Sequence, residues 1–331
     1  MKGLAKLAAG VGHLGLVDRP EREPGPGQVL IEVHGTGVCG TDLHIEAGEY
    51  PTDPPVTMGH EVSGVVAATG EGVDTAWTGT RVVTETYYAT CRTCLMCRSG
   101  RPNLCAGRRS IGSRADGGFA SRLVVPVGNL HAVPDRLGEH AAALVEPLAC
   151  VCNCLFDPPT VTAGDEVLVV GPGPMGLLAA QVAAAMGGDV TVAGLPSDAE
   201  RLDLARSMGM RTTMDPAGAG LVDVAIECSG SGGGAAAALE STRPGGRYIQ
   251  VGVFGRPVTV PLDRVFEREL VITSGFASTP ASWARAIGLV ERGEVLLEPL
   301  VSRVAPLAAW AEVFDDLRRG HGLKSVIDPR L

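Results

Sequence analysis

The sequence predicts an α/β protein of two domains: a domain of short β-strands joined to a doubly wound parallel sheet. Three observations carry this. At 331 residues the chain has room for two domains, at roughly 100–200 residues each. The stretch "DEVLVVGPGPMGLLAAQVAAAMGG" sets an apolar strand, a glycine-rich turn and an Ala/Leu-rich helix in succession. The first 150 residues are instead punctuated by Gly/Pro turns such as "EPGPGQ" and "GEYPTDPP", which bound short strand-like runs.

Composition narrows the function classes. Apolar residues make up 45 %, enough for a core, and the 45 glycines are interspersed with Val/Ala/Leu runs rather than gathered into low-complexity tracts. The net charge of −9 and the lack of a Lys/Arg run argue against a nucleic-acid binder. The N-terminus lacks the basic-then-apolar layout of a secretory signal. The longest uncharged run, Val167–Gly188, holds Gly171, Pro172, Gly173 and Pro174, so it reads as strand, turn and helix rather than a membrane span. A soluble cytoplasmic protein is expected, with its nine cysteines present as thiols or metal ligands.

Cys91, Cys94, Cys97 and Cys105 follow a C-x2-C-x2-C-x7-C spacing. Four thiolates close a tetrahedron around zinc and leave no open position. A bacterial iron–sulfur run would place the fourth Cys after three residues and follow it with Pro; here seven residues intervene and Ala106 follows. A closed shell has no place for substrate, so this zinc staples a loop and the chemistry lies elsewhere.

A second constellation is scattered. "GVCGTDLH" holds Cys39, Thr41, Asp42 and His44, "MGHEVSGVV" holds His60 and Glu61, and "LVEPLAC" holds Glu146. A thiolate, an imidazole and a carboxylate can form a mixed, open zinc shell. Each residue alone has an ordinary structural reading: a buried small Cys, a satisfied His, a turn acid. Their joint occurrence with the cysteine cluster is what raises the metal reading.

Gly171-Pro172-Gly173-Pro174-Met175-Gly176 is G-x-G-x-x-G with a strand before it and a helix after it, the context of a dinucleotide loop. The first glycine makes the turn, the second admits the pyrophosphate, and the third lets helix and strand pack closely. The next strand, "VTVAGL", ends in Gly194 rather than in the acid that grips the ribose of NAD. Ser197 and Arg201 are placed to meet a 2′-phosphate, so NADP and NAD both stay open. Asp198 reads as a helix cap.

Together these residues resemble the zinc-containing medium-chain dehydrogenase/reductase superfamily, and within it the polyol (sorbitol/iditol-like) and L-threonine dehydrogenase branch. The resemblance runs from "GPGQVLIEVHGTGVCGTDLH" to "LEPLVSRVAPLAAWAEVFDDLRRGHGLKSVI". It implies a GroES-like catalytic domain over 1–151 and 275–331, with the zinc lobe at about 88–108, and a Rossmann domain over 152–274. It implies two zinc ions per chain. Cys39, His60 and Glu61 match the ligands of the catalytic zinc, with Glu146 as a further carboxylate bound through water or exchanging during turnover. Cys91, Cys94, Cys97 and Cys105 match the structural site. Thr41 matches the hydroxyl that takes the substrate proton and His44 an onward relay. Val251 and Val253 in "GGRYIQVGV" join the glycine loop, Ser197 and Arg201 as cofactor contacts.

The implied activity is NAD(P)-linked oxidation of a secondary alcohol of a polyol or cyclitol to a ketone. Alternatives are amino-alcohol oxidation on L-threonine and a non-catalytic nucleotide-binding role. A homodimer or homotetramer is expected, the edge strand near Glu269–Phe276 inviting pairing across a two-fold axis. Tyr50, Phe119, Phe254 and Phe276 are wall residues by analogy. One departure from the family is local. Only seven residues link "RTTM" to "VDVAIE", a span of about 24 Å when extended. A parallel crossover normally takes a dozen or more residues, so a missing helix and a shortened third strand are expected there. Cys150, Cys152, Cys154 and Cys228 are expected to be small buried residues.

Overall fold

The structure, a computed structural model, describes residues 1–331 and divides into two compact units, Met1–Glu146 with Leu297–Leu331, and Pro147–Leu296. In chain order the first unit carries β1 (Lys2–Lys6), β2 (Leu14–Asp18), β3 (Gln28–Gly37), α1 (Gly40–Glu46), β4 (Val56–Thr57), β5 (Glu61–Thr69), β6 (Arg81–Thr84), β7 (Tyr87–Ala89), α2 (Leu95–Arg98), β8 (Arg109–Ser110), β9 (Arg122–Pro126) and β10 (Leu130–Ala132). Helix α3 (Val145–Phe156) carries the boundary. The second unit follows with β11 (Glu166–Val170), α4 (Pro174–Ala185), β12 (Asp189–Ala193), α5 (Ala199–Ser207), β13 (Arg211–Thr213), β14 (Val222–Glu227), α6 (Gly232–Ser241), β15 (Thr242–Gln250), α7 (Asp263–Glu267), β16 (Val271–Ser274) and α8 (Pro280–Arg292). The chain then re-enters the first unit with β17 (Val301–Pro306), α9 (Trp310–Arg318) and β18 (Lys324–Asp328).

The first unit is the GroES-like mostly-β fold. Its main sheet runs β10-β6-β5-β3-β18-β17, with β9 also paired to β3. Alternation along β3, "QVLIEVHGTG", sends Val29, Ile31 and Val33 into one core with Val62, Val66 and Val82. A second core gathers Leu4, Ile45, Met58, Phe119, Phe314 and Ile327, which fixes α1 and α9 beside β18. Phe119 is fully buried there, so it is a core residue and not a pocket wall.

The second unit is a Rossmann fold. Its six strands are all parallel in the order β13-β12-β11-β14-β15-β16. β13 has only three residues, and a single 3-10 turn, Ala217–Ala219, stands where a crossover helix would be. The short link allows nothing longer.

Residues 275–296 differ from expectation. They group with the second unit, and the return to the first falls at Leu297. Side-chain bonds to α3 and α4 explain this. Asn153 Nδ2 donates to the Ala277 carbonyl at 3.0 Å, and the Leu296 N–H donates to Gln181 Oε1 at 2.7 Å. Trp283 on α8 is fully buried. No helix is long and apolar enough to cross a membrane, and Val167–Gly188 is divided between β11, the glycine turn and α4.

Candidate metal centre and nucleotide loop

Strand register builds the centre. β3 and β5 pair antiparallel with Gly37 opposite Glu61. Cys39 leaves β3 two residues later as the N-cap of α1, so it turns back beside His60 and Glu61 at the head of β5. One ligand atom from each of Cys39, His60 and Glu61 lies within 4.8 Å of the others. The close approach demands glycine at 37, because a Cβ there would stand 1.9 Å from Glu61 Oε2.

The donor set fits zinc. Glu61 is 1 % exposed, and its Oε2 is buried with no hydrogen-bond partner. Stranding a carboxylate oxygen in this way is costly unless a cation takes it. Burial opposes charge on His60, but the Cys39 thiol, Asp42 and Glu146 outweigh it and raise the imidazole well above its ordinary value. A metal bound by this imidazole would have to displace that proton, so metal affinity here should depend on pH.

Two residues that sequence reasoning gave no role belong here. Asp42 is fully buried, accepts the Cys39 N–H at 2.9 Å through Oδ2, and holds Oδ1 3.9 Å from His60 Nδ1. Burial raises its pKa, countered by His60. The C-x-x-D capping-box spacing was the available signal. Lys324 on β18 donates Nζ to Glu61 Oε1 and, at 3.0 Å, to the Val38 carbonyl. Nothing local in sequence announces it.

The remaining expected residues take these places. Thr41 Oγ1 is 3.7 Å from Cys39 Sγ. His44, one helical turn beyond Thr41, pairs with Glu49 at 2.7 Å and is 41 % exposed. Glu146, in the first turn of α3, is 6 % exposed and acts electrostatically on His60 and Lys324, yet it stands outside the three-residue cluster.

Cys91, Cys94, Cys97 and Cys105 converge within 4.8 Å. The sulfurs of Cys105 and Cys91 lie 3.5 Å apart, and those of Cys91 and Cys97 3.9 Å apart. A tetrahedron of zinc–sulfur bonds requires about 3.8 Å, so four sulfurs fit one ion. The N–H groups of Cys94 and Cys97 donate to the sulfurs of Cys91 and Cys94. Donation from the Cys94 backbone lowers the Cys91 thiol to about 6, toward the ligating thiolate.

The glycine loop assigns one task to each glycine. Gly171 adopts φ 101° at the turn. A Cβ on Gly173 would meet no protein atom within 4 Å, which leaves room for a ligand. A Cβ on Gly176 would stand 1.8 Å from the Gly171 carbonyl oxygen, so helix and strand touch only because it is glycine. Pro174 is the first residue of α4, and its missing N–H is one no helix needs there. At the end of β12, Asp198 Oδ2 accepts the Leu195 N–H at 2.9 Å and Oδ1 lies 3.5 Å from Arg201, beside Ser197. The other end of the sheet's ligand edge is held by Glu227. Its backbone carbonyl accepts the N–H groups of Val251 and Gly252, and Val253 follows, 79 % exposed. Cys152 and Cys154 are buried in α3, and burial pushes Cys152 up to about 12.

Residues 25–135 match the alcohol dehydrogenase GroES-like domain, and residues 174–292 the zinc-binding dehydrogenase domain. The chain is 36 % identical to a sorbitol dehydrogenase of Halalkalibacterium halodurans over 99 % of both chains. It is 33 % identical to a D-arabitol-phosphate dehydrogenase of Enterococcus avium, over 99 % of this chain and 97 % of that one. Among solved structures it superposes on a zinc-binding dehydrogenase of Sinorhizobium meliloti bound to NADP, with TM-score 0.90, 31 % identity and 99 % of both chains covered.

Proposed function

The chain belongs to the zinc-containing medium-chain dehydrogenase/reductase family, and from that premise we propose that it oxidises a secondary alcohol of a polyol or cyclitol to the ketone, reversibly, with NAD or NADP as partner. The observation that carries the reading is the convergence of Cys39, His60 and Glu61, together with a buried Glu61 oxygen that has no hydrogen-bond partner.

Cys39, His60 and Glu61 would hold the catalytic zinc, and the four-cysteine lobe a structural one. Zinc at the first site supplies Lewis acidity that makes an alcohol hydroxyl acidic near neutral pH. Asp42 holds the Cys39 backbone by its N–H and faces His60, so both donors stay oriented. Thr41, beside Cys39, accepts the hydroxyl proton. A threonine hydroxyl cannot keep that proton, so it passes its own toward His44 and solvent. Glu146 would add a nearby negative charge, acting electrostatically on His60 and Lys324. A nicotinamide cofactor, when bound, would supply the hydride acceptor for the carbinol carbon. Gly171–Gly176, with the Gly173 opening and the α4 N-terminus, receive its pyrophosphate. Ser197 and Arg201 stand at the adenosine end, and Val251 and Val253 at the other.

Nicotinamide reduction followed by absorbance tests the reading. NAD and NADP are offered separately against sorbitol, myo-inositol, L-threonine, 2,3-butanediol and a simple secondary alcohol. Turnover on a polyol or cyclitol that vanishes in Cys39→Ser is the expected result. Turnover on L-threonine alone would move the substrate to the amino alcohols. Nicotinamide binding with two zincs and no turnover on any alcohol would favour a non-catalytic role. One zinc per chain would overturn the centre. β16 ends its sheet with Val271 53 % and Ile272 45 % exposed, which supports pairing with a second copy. Sedimentation measures this, and a monomer at micromolar concentration rules it out.

A further inference from the structure

Glu61 and Lys324 form an ion pair with side chains 1 % and 6 % exposed. The two Glu61 oxygens are treated unequally: Oε1 accepts from Lys324 Nζ, and Oε2 has no partner. The same ammonium binds the carbonyl of Val38, the residue before Cys39. One lysine therefore grips both the carboxylate and the strand end that delivers the thiol. It reaches them from β18, where Val326 pairs with Gly37.

The charged groups facing this centre are Asp42 from α1, Glu61 and His60 at the head of β5, Glu146 from α3, the Cys39 thiol and Lys324. Of these groups Lys324 is the one lysine, and it is paired with the Glu61 carboxylate. A carboxylate with both oxygens free could bind a metal through either or both. With Oε1 bonded to the ammonium, Oε2 is the oxygen left without a partner, and the ion pair lowers the charge the carboxylate can donate.

We propose that Lys324 is a positioning residue of the metal centre: it makes Glu61 the resting, single-oxygen third ligand, and its charge strengthens the acidity that the metal imposes on its fourth position. The proposal rests on the zinc assignment made above for Cys39, His60 and Glu61. Glu146 stands outside the cluster, and the proposal gives it no part in the resting ligand set.

Cobalt(II) loaded in place of zinc tests this without a substrate. The spectrum of the centre is read as the difference between the protein and its Cys39→Ser variant, which removes the contribution of the four-cysteine lobe. Lys324→Gln can still donate to Oε1 but carries no charge; Lys324→Arg keeps both. In Lys324→Gln the difference spectrum should change and the midpoint of its pH titration should rise by about one unit, the lower end of what one close charge does to a pKa. Lys324→Arg should leave the midpoint in place. A Lys324→Gln spectrum and midpoint superposing on those of the unmodified protein would overturn the proposal. If Lys324→Gln does not fold by circular dichroism, Lys324→Arg decides: a displaced midpoint overturns the proposal and an unmoved one supports it. Identical cobalt spectra for the unmodified and Cys39→Ser proteins would sink the zinc assignment itself, a distinct failure that takes the proposal with it.

Discussion

Replacing Asp328 by Asn perturbs the strand that delivers Lys324. Asp328 ends β18, is 2 % exposed, and accepts from Arg330 at 2.7 Å and from His140 at 2.9 Å through Oδ2. Arg330 also bonds Glu139, so this cluster ties the C-terminal strand to the segment before α3. Burial works against the Asp328 charge, but the Arg330 and His140 donors prevail and lower its pKa from 3.8 to about 2. At 1.36 kcal/mol per unit, that difference stabilises the fold by about 2.5 kcal/mol. Because the folded-state pKa is depressed, the contribution is complete well above pH 3.8 and is lost as pH falls through 2. Linkage leaves about 1.3 kcal/mol at pH 3 and about 0.4 kcal/mol at pH 2. Urea unfolding of the two proteins should therefore differ by about 2–3 kcal/mol at pH 7, with the gap shrinking by about half at pH 3. Acid also strips metal ligands, but it does so in both proteins, and the difference cancels it. A gap below about 1 kcal/mol at pH 7, or one that does not close on acidification, would refute the reasoning.

Other outcomes follow from the same geometry. Gly37→Ala drives a methyl against the Glu61 carboxylate, so metal affinity at the centre should fall roughly 10–100-fold with the four-cysteine zinc retained; metal analysis after dialysis showing two ions held as before would contradict it. Gly176→Ala meets the Gly171 carbonyl, backbone that cannot swing aside. It should weaken NAD(P)H binding at least about tenfold and cost about 1–3 kcal/mol of stability, read by nicotinamide fluorescence and thermal melts, and unchanged affinity would count against the loop assignment. Cys94→Ser should release the structural zinc and lower the melting temperature while part of the turnover persists; complete loss of turnover with the lobe's zinc still bound would reverse the division of labour between the two sites.

Local spacing made much of this legible in the sequence. The four cysteines were readable from their ligand spacing within fifteen residues, and the strand–glycine–helix run dictates its own turn. The short crossover after β13 was readable because chain length limits what can form. Cys39, His60 and Glu61 were nameable only as scattered residues with a family resemblance. The tertiary structure decided what joins them. The β3–β5 register sets Glu61 against Gly37, and a shift of one residue would point Glu61 to the other face. Lys324 lies 263 positions from Glu61, and no periodicity or spacing encodes a contact of that range. The return of the chain at Leu297 rather than at 275 was also hidden, because side-chain bonds from α3 and α4 hold residues 275–296, and helix propensity carries no record of such partners. Sequence determines which groups are available and what each local turn permits. Which of them meet in one buried cluster is fixed only when distant strands close on each other, since charge and hydrogen bonding act through space and not along the chain.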